Sequence, residues 1–311
     1  MGKNQTPEVS ICIPAYNQTT YLKILLDSIA RQTFADFEII LSDDSTTPDV
    51  KDLAEASGFG GKMKYYKNNP SLGSPANWNA AIEKTSGQYI KIMHHDDALN
   101  SPTALEEMMA CIKNNNSDYL FCFSAIENVS DPGKNRIHRI SRFGKLKNKP
   151  YLLFFGNSIG GPSSLLVKNT LKDLKYDTKL IWLVDVEYYI RLLETNRAGN
   201  IIAKPLVLTH DAVEHRLTSS ILANPELQIK EHASLYRNLS SKAPAITRFF
   251  MQVYLTRLFF KFGVKNKELL NLFADKPRLL NAYFSTIKIK PAYLAYRVVI
   301  TVLDITRKAL F

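Results

Sequence analysis

Between residues 9 and 93, short apolar runs alternate with apolar residues at helical spacing, and this order constrains the fold more than any other feature of the chain. Residues 9–13 form a β-branched run stopped by Pro14, after which Tyr21, Leu22, Leu25, Leu26 and Ile29 recur at helical spacing behind Thr19 and Thr20. Residues 37–41 read as a second strand ending at Asp43-Asp44-Ser45, 64–66 as a short third, 76–84 as a helix and 89–93 as a fourth strand. A βαβαβ order dictates an α/β fold with a mixed, mainly parallel sheet flanked by helices, and ligands of such sheets gather at the carboxyl ends of the strands. The polar clusters 14–17, 43–45 and 94–97 all fall at such ends, so one crevice is expected to collect them.

Residues 101–225 continue as a second portion, with a helix over 103–113, a strand over 119–123, a basic loop and a helix near 185–194. From residue 226 onward the pattern is helical, with Gly263 as a stop after 245–262. Three parts are therefore predicted: 1–100, 101–225 and a helical extension over 226–311. The composition, 45% hydrophobic and 22% charged over 311 residues, is globular. Cys12, Cys111 and Cys122 form no CxxC pair, which argues against a disulfide framework or a zinc cluster and for a cytoplasmic chain. The polar start lacks a signal peptide, and the longest uncharged run, 150–167, carries Gly156, Gly160, Gly161 and Pro162, so no transmembrane segment is expected.

The net charge of +11 is concentrated: residues 226–311 hold 15 Lys/Arg against 5 Asp/Glu. A second basic run from Lys134 to Lys149 reads as an exposed loop. In the last helix Arg297, Thr301, Asp304 and Lys308 form one polar stripe and almost everything else is apolar. Such a tail suits an anionic membrane surface, a cap on the preceding α/β part or a homodimer contact. Nucleic acid is not expected as a partner, because no nucleic-acid motif accompanies the charge.

His94-His95-Asp96-Asp97 is the sharpest chemical cluster. Two adjacent carboxylates at a strand end suit a hard cation such as Mg²⁺ or Mn²⁺ on a polyphosphate, whereas a solvated loop or a helix cap is the plain alternative. In strand geometry His94 and Asp96 face opposite to His95 and Asp97, so the four are not expected on one ion, and both histidines stay uncommitted. Asp43-Asp44 reads either as a turn former or as an acceptor for a base or ribose. Asp185 reads as a general base or as an N-cap, with Glu187 two residues on as a second base candidate. Gly160 to Ser164 is a tight turn or a ligand-facing loop, and His215-Arg216 a surface loop or a closing segment. Neither GxGxxG nor a P-loop is present, which disfavours nicotinamide and P-loop chemistry.

The motifs VSICIPAYN (9–17), QTFADFEIILSDDS (32–45), Asn68 through Gly73 to Asn77, GQYI (87–90) and the xDD end at Asp97, in this order, resemble family 2 glycosyltransferases of the GT-A fold. The resemblance is strong over residues 9–100, moderate over 155–220 and slight in the tail. It implies an inverting, metal-dependent transfer from a nucleotide-diphosphate sugar, with UDP the expected nucleotide, to a hydroxyl of a glycan or lipid-linked acceptor in cell-surface polysaccharide synthesis. Pro14, Ala15, Tyr16 and Asn17 would line the nucleoside pocket with Asn77, Asp44 would bond the base, Asp96 the ribose, and Asp97 would hold Mn²⁺ or Mg²⁺. Asp185 would be the base, Gly161 and Ser163 would face the acceptor, and His215 and Arg216 would close over the diphosphate. His94 stands where the family often has the first acid of its DxD. A sugar-nucleotide-binding module without catalysis and a nucleotidyltransferase are the rival readings.

Overall fold

The computed structural model describes residues 6–211, 224–273 and 277–310, and nine strands among them join one mixed sheet. β1 (Val9–Ala15), β2 (Phe37–Asp43), β3 (Met63–Lys67) and β4 (Tyr89–Ile92) form its parallel part in the order β3-β2-β1-β4. Val9 pairs with both Phe37 and Tyr89, so three strands start level and their carboxyl ends open at one edge. α1 (Thr20–Ala30), α2 (Asp49–Ala56) and α3 (Ala76–Glu83) belong to the crossovers between them. β1, β2 and β4 are buried at every position, which is why they read as continuous apolar runs rather than alternating ones. Leu22, Leu25 and Ile29 of α1 share a core with Ile11, Ile13, Ile39 and Leu41.

Pro14 does not end β1, contrary to the sequence reading. Its register partner is Ser42 of β2, while pairing with β4 stops at Cys12, whose carbonyl accepts the Met93 amide. Pro14 has the same parity as Cys12, so its missing N–H falls on the side where β4 has already ended and costs no ladder bond.

β8 (Leu165–Lys168) lies antiparallel between β4 and β6 (Tyr119–Glu127), and β9 (Gly199–His210) runs parallel to β6. β5 (Asp97–Leu99) adds antiparallel to β9, and β7 (Arg136–His138) to β6. α4 (Ala104–Asn114), α5 (Phe143–Asn148) and α6 (Val184–Glu194) complete this part. The basic run 134–149 is therefore not one loop: β7 edges onto β6, and α5 buries Phe143 and Leu146 between the charges.

The chain divides into two compact units, Met1–Asn148 with Ser158–His215, and Lys149–Asn157 with Arg216–Phe311. The first contains the sheet. The second holds α7 (Pro225–Leu239), α8 (Ala245–Phe262), α9 (Arg278–Thr286) and α10 (Lys290–Leu310), with 3-10 turns at Pro150–Phe155 and Lys267–Leu272. Its interior is aromatic: Phe154 meets His232, Tyr236 and Tyr254, and Phe259 meets Phe273, Tyr283 and Phe284. Gly263, in the left-handed conformation, returns its amide to the Phe259 and Phe260 carbonyls and stops α8 as its sequence suggests. Among the described residues no helix is long and apolar enough to cross a membrane.

Candidate active site

β4 ends at Ile92, and the next residues leave strand geometry. The Asp97 amide donates to the His94 carbonyl at 3.0 Å, closing a turn, and β5 begins at Asp97 opposite Thr209 of β9. Strand alternation, which would separate His94 and Asp96 from Asp97, does not apply inside this turn. His94, Asp96 and Asp97 each bring a ligand atom to within 4.8 Å of the others. His95 is directed elsewhere, its Nδ1 donating to the Pro14 carbonyl at 3.3 Å.

Residues distant in sequence fix this turn. The Ser163 hydroxyl accepts from the His94 amide at 2.9 Å and also hydrogen-bonds the Asp97 carboxylate, which Thr209 contacts as well. The buried Lys91 ammonium donates to the Ser163 and Leu165 carbonyls. His210 Nδ1 lies 2.8 Å from the Asp96 carbonyl, and because a carbonyl only accepts, the proton is on Nδ1. Glu127 stands 3.6 Å from its Nε2.

Burial pushes the Asp97 carboxyl up to about 7 and the Asp96 charge adds to this, against the bonds from Ser163 and Thr209 and the Lys91 charge. Burial also lowers the His94 imidazole to about 4, despite the opposing attraction of Asp96, so the ring is neutral at pH 7. Its Nε2 is buried and has no hydrogen-bond partner among the described residues. A neutral imidazole that brings a ring nitrogen near two carboxylates that repel one another fits a divalent cation, which would take a ligand from each.

The ends of β1 and β2 form the other wall. Tyr16 projects beyond Pro14 and Ala15 and is 52% exposed. Asn17, at φ +52°, accepts from the Thr46 amide (2.8 Å) and hydroxyl (3.2 Å), and its own amide donates to Ser45 Oγ at 2.8 Å. Asn77 is buried and braces both strands, donating to the Ala15 and Ser42 carbonyls at 3.3 and 3.2 Å. Its Oδ1 accepts from Asn68 at 2.9 Å.

Asp44 is only 2% exposed. One oxygen accepts from Asn68 Nδ2 (2.8 Å) and the Leu72 amide (2.9 Å), the other from the Leu72 (3.1 Å) and Gly73 (2.6 Å) amides. Its acceptor positions are filled here by the 68–73 loop, which the carboxylate expected at the base edge fastens. Burial would raise the neighbouring Asp43 carboxyl, but bonds from Ser45, Tyr65 and Lys67 hold it below the ordinary value.

Asp185 is the second residue of α6, and the N-cap position is Leu183, so the capping role is not the one Asp185 takes. Its Oδ1 accepts the Val186 amide at 2.7 Å, and its charge acts on Tyr176 and Tyr189. Tyr189 donates to the Gly160 carbonyl at 3.1 Å and hydrogen-bonds Ser164, which joins the middle of α6 to the loop that carries Ser163 to Asp97. Gly160 adopts φ +114°, and a Cβ there would sit 3.2 Å from the His138 ring, whereas one at Gly161 would meet nothing within 4 Å. Glu187 is buried and paired with Arg191 at 2.6 and 2.7 Å, so its carboxylate is already committed. His215 and Arg216 lie outside the described residues.

An aromatic ladder, unread in the sequence, links the same parts. Tyr188 stacks on Tyr176 (4.2 Å, 19°), Tyr176 meets Trp78 edge-on (5.1 Å) and Trp78 packs on His94 (4.4 Å). One of only two tryptophans, beside Asn77, was a signal available for it. Lys91 carried another: a lysine inside the apolar run 89–93 marks a charge held inside the fold.

A mixed sheet of this order, flanked by helices and ending β4 in an acidic turn, is the GT-A fold of nucleotide-sugar enzymes. The sequence profile of Glycosyl transferase family 2 matches residues 10–168, and the chain belongs to that family. An uncharacterized glycosyltransferase of Methanocaldococcus jannaschii is 29% identical over 67% of this chain and 72% of its own. The GalNAc(5)-diNAcBac-PP-undecaprenol β-1,3-glucosyltransferase of Campylobacter jejuni is 32% identical over 30% of this chain and 31% of its own. Among the curated relatives compared, the matched segment spans between 19% and 73% of the relative's length. Two solved structures share the fold. TarS 1–349 of S. aureus, in complex with UDP-GlcNAc, has a TM-score of 0.63 at 17% identity over 97% of this chain and 92% of its own. The mannosyltransferase PcManGT of Pyrobaculum calidifontis, in complex with GDP-Man and Mn²⁺, has a TM-score of 0.57 at 14% identity over 97% and 88%.

Proposed function

We propose that this chain is an inverting glycosyltransferase that moves a sugar from a UDP-sugar to a hydroxyl of a lipid-linked or glycan acceptor. It would work in cell-surface polysaccharide synthesis at the cytoplasmic face of a membrane. One observation carries the reading: His94, Asp96 and Asp97 converge within 4.8 Å at the end of β4, beside the level ends of β1 and β2. Asp96 and Asp97, with a ring nitrogen of His94 beside them, would hold Mn²⁺ or Mg²⁺, and the cation when bound would supply positive charge against which a diphosphate departs. Pro14, Ala15 and the exposed ring of Tyr16 line the nucleoside, with Asn17 and Asn77 bracing that wall. Asp96, less buried than Asp97, faces the ribose.

On the acceptor side Asp185 takes the hydroxyl proton as the new C–O bond forms on the sugar face opposite the breaking bond to diphosphate. Tyr189 and the loop with Gly161 and Ser163 hold that side in register with the turn. The undecaprenol-linked substrate in the name of the Campylobacter relative supports a lipid-linked acceptor, and the sugar nucleotides in the two related structures support the donor class. The test is a thermal-shift panel of UDP-, GDP- and dTDP-sugars with and without Mn²⁺ or Mg²⁺, in which a bound donor raises the melting temperature. A cation-dependent rise with a UDP-sugar is expected, and no shift with any donor would overturn the reading.

A further inference from the structure

α10 buries the acid of its polar stripe. Asp304, its one acid, is fully buried and paired with Arg257 of α8 and with Arg307 at 2.9 Å, while Lys308 stands at 3.8 Å. Ile300 and Arg307 lie on the same buried side. The opposite side is apolar and open: Leu294, Val298, Val302 and Ile305 are 50–63% exposed. Their spacing of i, i+4, i+8 and i+11 draws one continuous stripe along the helix. Lys290, Arg297 and Lys308, all exposed, follow one another at i, i+7 and i+18 and so form a basic rim along one flank of that stripe. Lys308 lies within ion-pair distance of Asp304, and α10 has no other acid to offset Lys290 and Arg297.

The charge decides what covers this stripe. Residues 226–311 carry 15 Lys/Arg against 5 Asp/Glu, so a second copy would bring like charge to like, whereas an anionic headgroup layer brings the opposite sign. We infer that α10 docks flat on an anionic lipid surface. Leu294, Val298, Val302 and Ile305 enter the headgroup boundary, and Lys290, Arg297 and Lys308 meet the lipid phosphates. This inference needs no sugar transfer, so it stands or falls separately from the proposed reaction.

Co-sedimentation of the full chain with phosphatidylcholine vesicles, with and without phosphatidylglycerol, tests it. Binding is expected only with phosphatidylglycerol. K290Q/R297Q should lower the partition coefficient roughly 30-fold, which corresponds to about 1 kcal/mol per basic residue near an anionic surface. V298D/V302D should abolish binding while the melting temperature stays that of the parent, since both side chains are exposed. Vesicle binding unchanged in V298D/V302D, or absent in the parent, overturns the inference. A parent dimer in light scattering that V298D/V302D converts to monomer, with no vesicle binding by either, also overturns it and makes a second copy the occupant.

Discussion

Glu38→Gln probes an electrostatic contact at the amino ends of the strands, where Ser10 and Glu38 are second in β1 and β2. Oε1 of Glu38 accepts from Ser10 Oγ (2.6 Å) and from the Ser86 amide (2.8 Å) and hydroxyl (2.7 Å), and Oε2 accepts from Lys64 Nζ (2.7 Å). Burial alone would raise this carboxyl, but Lys64, Ser10 and Ser86 together hold it at about 2, against an ordinary 4.5. Such a displacement corresponds to about 3 kcal/mol at neutral pH. The Lys64 side chain is 46% exposed, so solvent screens its share, and a loss of about 2 kcal/mol is expected in the variant. The folded pKa lies below the unfolded one, so the contribution is complete above 4.5 and is lost as pH falls through about 2. Urea unfolding followed by tryptophan fluorescence reads it, because Trp78 and Trp182 both belong to the sheet-bearing unit. The gap between parent and variant should be widest at neutral pH and close progressively below 4.5. A gap that stays constant over this range would refute the reasoning.

Asp185→Asn should lower kcat by about 10²–10⁴-fold and keep the donor-induced thermal shift, whereas Glu187→Gln should retain turnover, and normal turnover in Asp185→Asn would sink the base assignment. Asp97→Asn should remove the Mn²⁺-dependent part of the thermal shift, and calorimetry showing unchanged Mn²⁺ affinity would count against the turn as the cation site. Asp44→Ala should lower the melting temperature by releasing the Leu72 and Gly73 amides and should weaken all nucleotides alike. Altered discrimination between UDP and GDP at an unchanged melting temperature would instead put Asp44 on the base.

The parallel part of the sheet was legible because its strands are buried on both faces, and two-sided burial writes itself as an unbroken apolar run. Edge elements leave no such mark. β7 is a three-residue strand with two exposed positions, and the basic residues around it masked the anchors Phe143 and Leu146. β9 mixes exposed and buried positions and shifts register against β6 between Cys122 and Ser124, so its alternation is broken where the sequence pattern would have shown it. In α10 the polar stripe is split: Arg297, Thr301 and Lys308 are exposed, whereas Asp304 is buried, where Arg257, 47 positions earlier, supplies its counter-charge. Pairing at that range has no local signature.

The same limit explains the acidic turn. Residue types in His94-His95-Asp96-Asp97 point to a cation and a phosphate, but which side chains share a face depends on where β4 stops. That point is set by the Asp97 amide reaching back to the His94 carbonyl, by Ser163 on the His94 amide and Asp97 carboxylate, and by His210 on the Asp96 carbonyl. Ser163 and His210 arrive from loops and strands 69 and 114 positions away. Once they close the turn, His94 leaves the opposite face of a strand and joins the two carboxylates, while His95 is drawn to Pro14. With a neutral imidazole as one of three candidate ligand groups, the turn carries at most two negative charges. A cation held there would be attracted correspondingly less, and the diphosphate of the proposed donor would supply more of the charge that holds it.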